Sequence, residues 1–200
     1  MQQCLLFFIY IYMKTLLTKD RKEKLSIYIK LANYLEGDFA EVGVYKGGSA
    51  EIIAVNKNEN KNLYLFDTFE GMPEADVSVD NFHKKNDFND TSYLDVCLGL
   101  KYCKNVFIYK GLFPNEHGDK IKDKKFSLVH IDVDIYKSYI DCFNFFYPKM
   151  VDGGIIILDD YASPNCKGAK LATDEFFTDK PEKPIWLVGS QVCIIKQPKW

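Results

Sequence analysis

Apolar side chains recur at Leu25, Tyr28, Ile29, Leu31, Ala32 and Leu35, the spacing of a helix with one buried face. Residues 16–35 are therefore expected to be helical, with Gly37 as the stop. The period then changes. "DFAEVGVY" reads as a buried strand, "KGGSAEIIAVNK" as a glycine turn opening a helix, and "LYLFD" as a second strand. An irregular stretch over residues 68–90, broken by Gly71 and Pro73, precedes the helical pattern "TSYLDVCLGL". There Ser92, with Asp95 three positions on, has the form of a capping box. "NVFIYKG" and "FSLVHID" are a third and a fourth strand, and "IDCFNFFYPKM" a helix closed by "DGG". "GIIILDD" is a fifth strand, "GAKLATDEFF" a helix, and "IWLVG" with "VCIIK" a terminal strand pair. Strands alternating with helices predict a single α/β domain: a mostly parallel seven-stranded sheet flanked by helices. Residues 1–36 form its N-terminal helical segment and residues 37–200 its body.

Two hundred residues, 47% of them apolar and 27% charged, suit one globular domain with a substantial core. A net charge of −2 argues against a protein that grips nucleic acid through its phosphates. The six cysteines include no Cys-x-x-Cys pair and no histidine at finger-like spacing, which argues against zinc. They read as buried thiols of a reducing cytoplasm. The opening "MQQCLLFFIYIYMK" has about half the ~20 apolar residues needed to span a bilayer, so no transmembrane span is expected. It also lacks the basic start and small-residue cleavage site of a signal peptide. It is expected to be a buried or dimer-forming segment, or an extension upstream of a start at Met13.

In a parallel sheet, ligands bind beyond the carboxyl ends of the strands, and the candidate chemistry is concentrated there. After the first strand, Gly43, Gly47 and Gly48 do not match the Gly-x-Gly-x-x-Gly of a dinucleotide site. With Glu41 at the mouth of that loop, a pyrophosphate would meet a like charge, whereas the sulfonium and ammonium of S-adenosylmethionine would be attracted. Asp67, ending the second strand, is placed to accept hydrogen bonds from ribose hydroxyls. A nicotinamide-dependent oxidoreductase remains the alternative enzyme reading, and a non-catalytic domain acting through partners the alternative to an enzyme. "VHIDVDIY" and "IIILDDY" set Asp132 and Asp134 on one strand end and Asp159 and Asp160 on the next. Three carboxylates brought this close cannot all ionise without a cation, and an all-oxygen donor set favours Mg²⁺. A carboxylate at the edge of such a site can serve as general base towards a hydroxyl. His130 is expected to be a satisfied core histidine.

The ordered set "FAEVGVYKGGSA", "LYLFDTFEGMP", "FNDTSYLDV", "VFIYKGLF", "HIDVDIYKSY", "YPKMVDGGIIILDDY" and "CKGAKLATDEF" resembles the macrocin O-methyltransferase (TylF-like) family from about Gly37 onward. The resemblance implies a Rossmann-like class I methyltransferase fold. It also implies Mg²⁺-dependent transfer of a methyl group from S-adenosylmethionine to a hydroxyl, often on a sugar of a glycosylated metabolite or polysaccharide. Asp132, Asp159 and Asp160 would be the metal set, with Asp132, at the strand end, as the base. Glu41, Gly43, Tyr45, Gly47, Ser49, Asp67 and Thr68 would line the cofactor, with Gly111 and Phe113 near its adenine. A small-molecule or glycan acceptor and a homodimer are the expected partners.

Overall fold

The computed structural model describes residues 13–198. Its elements are α1 (Lys19–Ala32), β1 (Asp38–Val42), α2 (Gly48–Asn56), β2 (Leu63–Asp67), α3 (Tyr93–Gly99), β3 (Val106–Lys110) and β4 (Phe126–Ile131). They continue with α4 (Tyr136–Phe146), β5 (Met150–Leu158), α5 (Lys167–Phe176), β6 (Ile185–Val188) and β7 (Gln191–Ile195). The strands form one sheet in the order β3-β2-β1-β4-β5-β7-β6, with β7 running against its neighbours. This is the mostly parallel seven-stranded sheet expected.

Both faces of the sheet are covered, which is why its strands read as nearly unbroken apolar runs. Alternate residues serve opposite cores. Val129, Ile131, Ile156 and Leu158 pack with Phe143 and Phe146 of α4 and with Ala169 and Ala172 of α5. Leu128, Ile155 and Ile157 join Leu25 and Ile29 of α1, Ile53 of α2 and Val96 of α3 on the other side. The N-cap half of the capping box is present: the Ser92 hydroxyl accepts from Asp95 N at 3.2 Å.

The first helix is three residues shorter at each end than the expected 16–35, and two further boundaries differ from expectation. The helix after β4 begins at Tyr136, four residues before the apolar periodicity shows it. "VDGG" does not close that helix but lies within β5. The β4–β5 register jumps there, from Phe126 opposite Met150 to Leu128 opposite Ile155, so extra residues of β5 bulge out. Gly153, at φ +76°, makes the bend, and Gly153 N and Gly154 O still bond to Lys196 at 2.8 Å each. Glycines that look like a stop are a bulge.

The chain runs outward from β1 to β2 and β3 and, on the other side, from β4 to β5. The cleft beyond β1 and β4 is therefore the topological switch point. The N-terminal segment reaches it: Met13 and Leu17 are buried in the core shared by α1 to α3, and Lys14 bridges to Gly47. Residues 1–12, on which the buried or dimer-forming reading falls, lie outside the described residues.

Candidate active site

A cavity of about 410 Å³ opens at this switch point, within the usual range for a small-molecule site. The loop after β1 forms its floor. Gly43 has φ +89°, and a Cβ there would lie 1.8 Å from the carbonyl oxygen of Asp132. Only glycine lets the ends of β1 and β4 meet so closely. Asp67 then fixes the loop. Its Oδ2 accepts from Val44 N and Tyr45 N, at 2.8 Å each, and its Oδ1 accepts from Phe69 N at 2.6 Å. Three of its roughly four acceptor positions are thus filled by backbone, leaving room for about one further donor from the cavity. Asp67 shapes the loop first.

Gly43, Tyr45, Ser49, Asp67, Thr68, Gly111 and Phe113 all line the cavity. The Thr68 hydroxyl is engaged by its own turn, donating to Gly71 O at 2.6 Å. Phe113 stands in an aromatic stack, its ring centroid 4.4 Å from Phe66 and 5.1 Å from Phe146.

Glu41 and Gly47 do not line it. Glu41 sits one residue inside the end of β1, opposite His130 of β4 in register, and is fully buried. Its Oε1 lies 2.8 Å from His130 Nδ1. The charge assigned to the loop mouth is therefore spent beneath it, on a buried histidine. Gly47, the left-handed cap of α2 at φ +83°, backs onto Met13, whose Cε would lie 2.2 Å from a Cβ there. Its neighbour Gly48 faces the cavity instead.

The acid-tipped strands meet as the sheet dictates. Asp132 N bonds to Val42 O at 3.0 Å and Asp159 N to Ile131 O at 3.1 Å, so each acid continues the ladder one step past the neighbouring strand. Single carboxylate oxygens of Asp132, Asp134 and Asp160 lie within 4.8 Å of one another. Burial, together with the charges of Asp160, Asp159 and Asp134, pushes the Asp132 carboxyl well above the usual carboxylate range. Asp160 is raised in the same way by burial and by Asp134 and Asp159. Like charges this close call for a positive partner, and their hard oxygens suit Mg²⁺.

Asp159 is held apart from this group. It is ion-paired to Arg21 of α1 and accepts from Gln191 Nε2 at 2.9 Å. Asp134 stands in its place, turned inward by a three-residue turn in which Ile135 N bonds to Val133 O at 2.6 Å. Its φ of +60° is uncommon for a residue with a side chain. Arg21, His83 and Cys166 also line the cavity, and nothing in the sequence pattern marks them for it.

The sequence profile of the macrocin-O-methyltransferase (TylF) family matches residues 12–186, taking in α1 and the sheet from β1 to β5 and stopping at the start of β6. The chain belongs to this family. Among curated relatives, it is 26% identical over 156 residues to the 8-demethyl-8-(2,3-dimethoxy-alpha-L-rhamnosyl)-tetracenomycin-C 4'-O-methyltransferase of Streptomyces olivaceus, covering 70% of this chain and 58% of the relative. It is also 26% identical over 161 residues to the demethyldecarbamoylnovobiocin O-methyltransferase of Streptomyces niveus, covering 73% and 60%. The chain thus spans less than two thirds of the length of these relatives. Among solved structures, the O-methyltransferase NovP superposes with a TM-score of 0.77 at 22% identity, over 90% of this chain and 80% of that one. The calicheamicin methyltransferase CalS11 gives 0.76 at 15% identity, over 87% and 77%. These likenesses establish the class I O-methyltransferase fold for this TylF-family chain. Among the described residues no helix is long and apolar enough to cross a membrane.

Proposed function

We propose that this chain transfers a methyl group from S-adenosylmethionine to a hydroxyl on a sugar of a glycosylated small molecule, with Mg²⁺ required. The observation that carries this reading is the convergence, on one cavity, of the glycine loop after β1 and the carboxylates beyond β4 and β5. The family match and the rhamnosyl acceptor in the name of the Streptomyces olivaceus relative support it. With Glu41 buried, the glycine spacing and the family, rather than a charge at the loop mouth, disfavour a nicotinamide cofactor.

When bound, S-adenosylmethionine supplies an electrophilic methyl group on a cationic sulfur. Mg²⁺, when bound, compensates the acid cluster and lowers the pKa of a nearby hydroxyl. Asp132 and Asp160 would hold the metal, with Asp134 supplying the third oxygen in the present arrangement, or Asp159 once it leaves Arg21. The backbone of residues 43–45, fixed by Asp67, would orient the cofactor. Gly111 and Phe113 would border its base. Asp132 would take the acceptor's proton on a carboxylate oxygen. Because burial and then its acidic neighbours raise its pKa, it is a competent base only while the cluster is neutralised.

The test is methyl transfer from labelled S-adenosylmethionine to a panel of rhamnosylated acceptors. EDTA should abolish transfer and added Mg²⁺ restore it. Asp132→Asn should lower turnover by about 10²–10⁴-fold, with S-adenosylmethionine affinity nearly unchanged. Undiminished transfer in excess EDTA would remove the metal from the reading. A homodimer is also proposed, to be checked by sedimentation.

A further inference from the structure

One wall of the cavity carries a donor set of a different kind. Cys166, at the start of α5, and His83, from the loop after β2, are 83 residues apart in sequence, yet Sγ and Nε2 lie 3.5 Å apart. Asp134 Oδ1 completes a triangle, 3.3 Å from that Sγ and 3.7 Å from that Nε2. Zinc–ligand bonds of about 2.3 Å to sulfur and about 2.0–2.1 Å to nitrogen and oxygen, at tetrahedral angles, give edges of about 3.6 Å (S···N), about 3.5 Å (S···O) and about 3.3 Å (N···O). The observed triangle therefore has the size of one tetrahedral face.

Two further features fit a cation. The other ring nitrogen of His83 faces the Asp87 carboxylate at 3.6 Å, the kind of acidic neighbour that commonly orients a ligating imidazole. All three side chains border the cavity, so a fourth position would open towards it, as catalytic zinc sites do. Cysteine spacing bears on finger-like zinc sites only, not on ligands gathered from separate parts of the chain.

We propose that His83, Asp134 and Cys166 form a second cation site, selective for thiophilic divalent ions of the Zn²⁺ class and distinct from the oxygen-only cluster beside it. Asp134 is the residue the two sites share: its Oδ1 faces sulfur and imidazole, and its carboxylate also belongs to the group with Asp132 and Asp160. Binding here would draw Asp134 towards Cys166 and leave Asp132 and Asp160 to the harder ion.

The full chain, saturated with Mg²⁺, would be titrated with Co²⁺ and followed by absorption. A thiolate-to-cobalt charge-transfer band with tetrahedral visible bands should saturate at one equivalent. Stoichiometric Zn²⁺ should bleach it, whereas further Mg²⁺ should not. Cys166→Ser should remove the charge-transfer band, and His83→Gln should weaken Co²⁺ binding at least about tenfold, with unchanged circular dichroism certifying the fold. No band in the wild-type chain, or a band persisting in Cys166→Ser, overturns the proposal. The readout is independent of methyl transfer. A chain that binds Co²⁺ through Cys166 but methylates nothing would refute the proposed function and leave this site standing.

Discussion

Glu41 and His130 show what a single residue pair does beneath the active site. Burial disfavours the imidazolium, but Asp159 and Glu41 outweigh it and carry the His130 pKa up to about 9. Of the two partners, Glu41 at 2.8 Å is in hydrogen-bond contact, while Asp159 Oδ1 stands 3.9 Å from Nε2, an ion-pair distance. A histidine whose folded pKa exceeds its unfolded value, about 6.5, stabilises the fold fully below that value. That contribution is lost as pH rises through about 9. Stability should therefore fall between pH ~6.5 and ~9, by on the order of 3 kcal/mol from this residue. Glu41→Gln should reduce that slope and lower stability at pH 6.5, because it breaks a fully buried charge pair. Denaturant unfolding at half-unit pH steps measures both, and equal slopes in the two proteins would show that Glu41 does not hold the proton. The core histidine was legible in the sequence from its place in an apolar strand. Its partner was not, because strand register, which sets Glu41 opposite His130, is a property of the sheet.

At the scale of elements, strand and helix identities were legible because burial on both faces and helical periodicity leave distinct traces. The tether of the loop after β2 left none. Asp80, from the middle of that irregular stretch, accepts from Tyr136 N at 3.1 and 3.2 Å and so caps α4, whose own preceding residue, Ile135, offers no side-chain acceptor. Gly168 of α5 completes the fit, since a Cβ there would lie 1.9 Å from Asp80 Oδ1. The loop after β2, α4 and the start of α5 thus depend on one carboxylate. Asp80→Ala should cost about 1 kcal/mol of stability and make residues 68–90 more open to proteolysis. Gly168→Ala should also destabilise, but less in the Asp80→Ala background, where the clash with the carboxylate is gone. Thermal unfolding of the two single variants and the double variant gives the coupling. Strict additivity would mean that Asp80 and Gly168 act separately.

For the whole molecule, the sequence placed the acid pairs at the ends of adjacent strands, but it could not show which acid an N-terminal helix would claim. Arg21 lies 138 residues from Asp159, and only the packing of α1 beside the β5–β7 end of the sheet brings them together. The pair is well shielded from water, Arg21 being 17% and Asp159 2% exposed at the side chain. A guanidinium there competes with any cation that the acid cluster would take, and it couples the docking of α1 to the charge state of the site. Losing it removes a nearby positive charge and frees a carboxylate, each favouring a divalent ion. Arg21→Met, which keeps most of the buried stem, should therefore tighten Mg²⁺ binding roughly tenfold, equivalent to about 1.4 kcal/mol. The same change should loosen α1, lowering thermal stability without Mg²⁺ and recovering it with Mg²⁺ present. Calorimetric titration of both proteins reads the first effect and paired melting curves the second. An unchanged Mg²⁺ affinity would mean that Asp159 stays outside the metal set and that Asp132, Asp134 and Asp160 hold the ion without it.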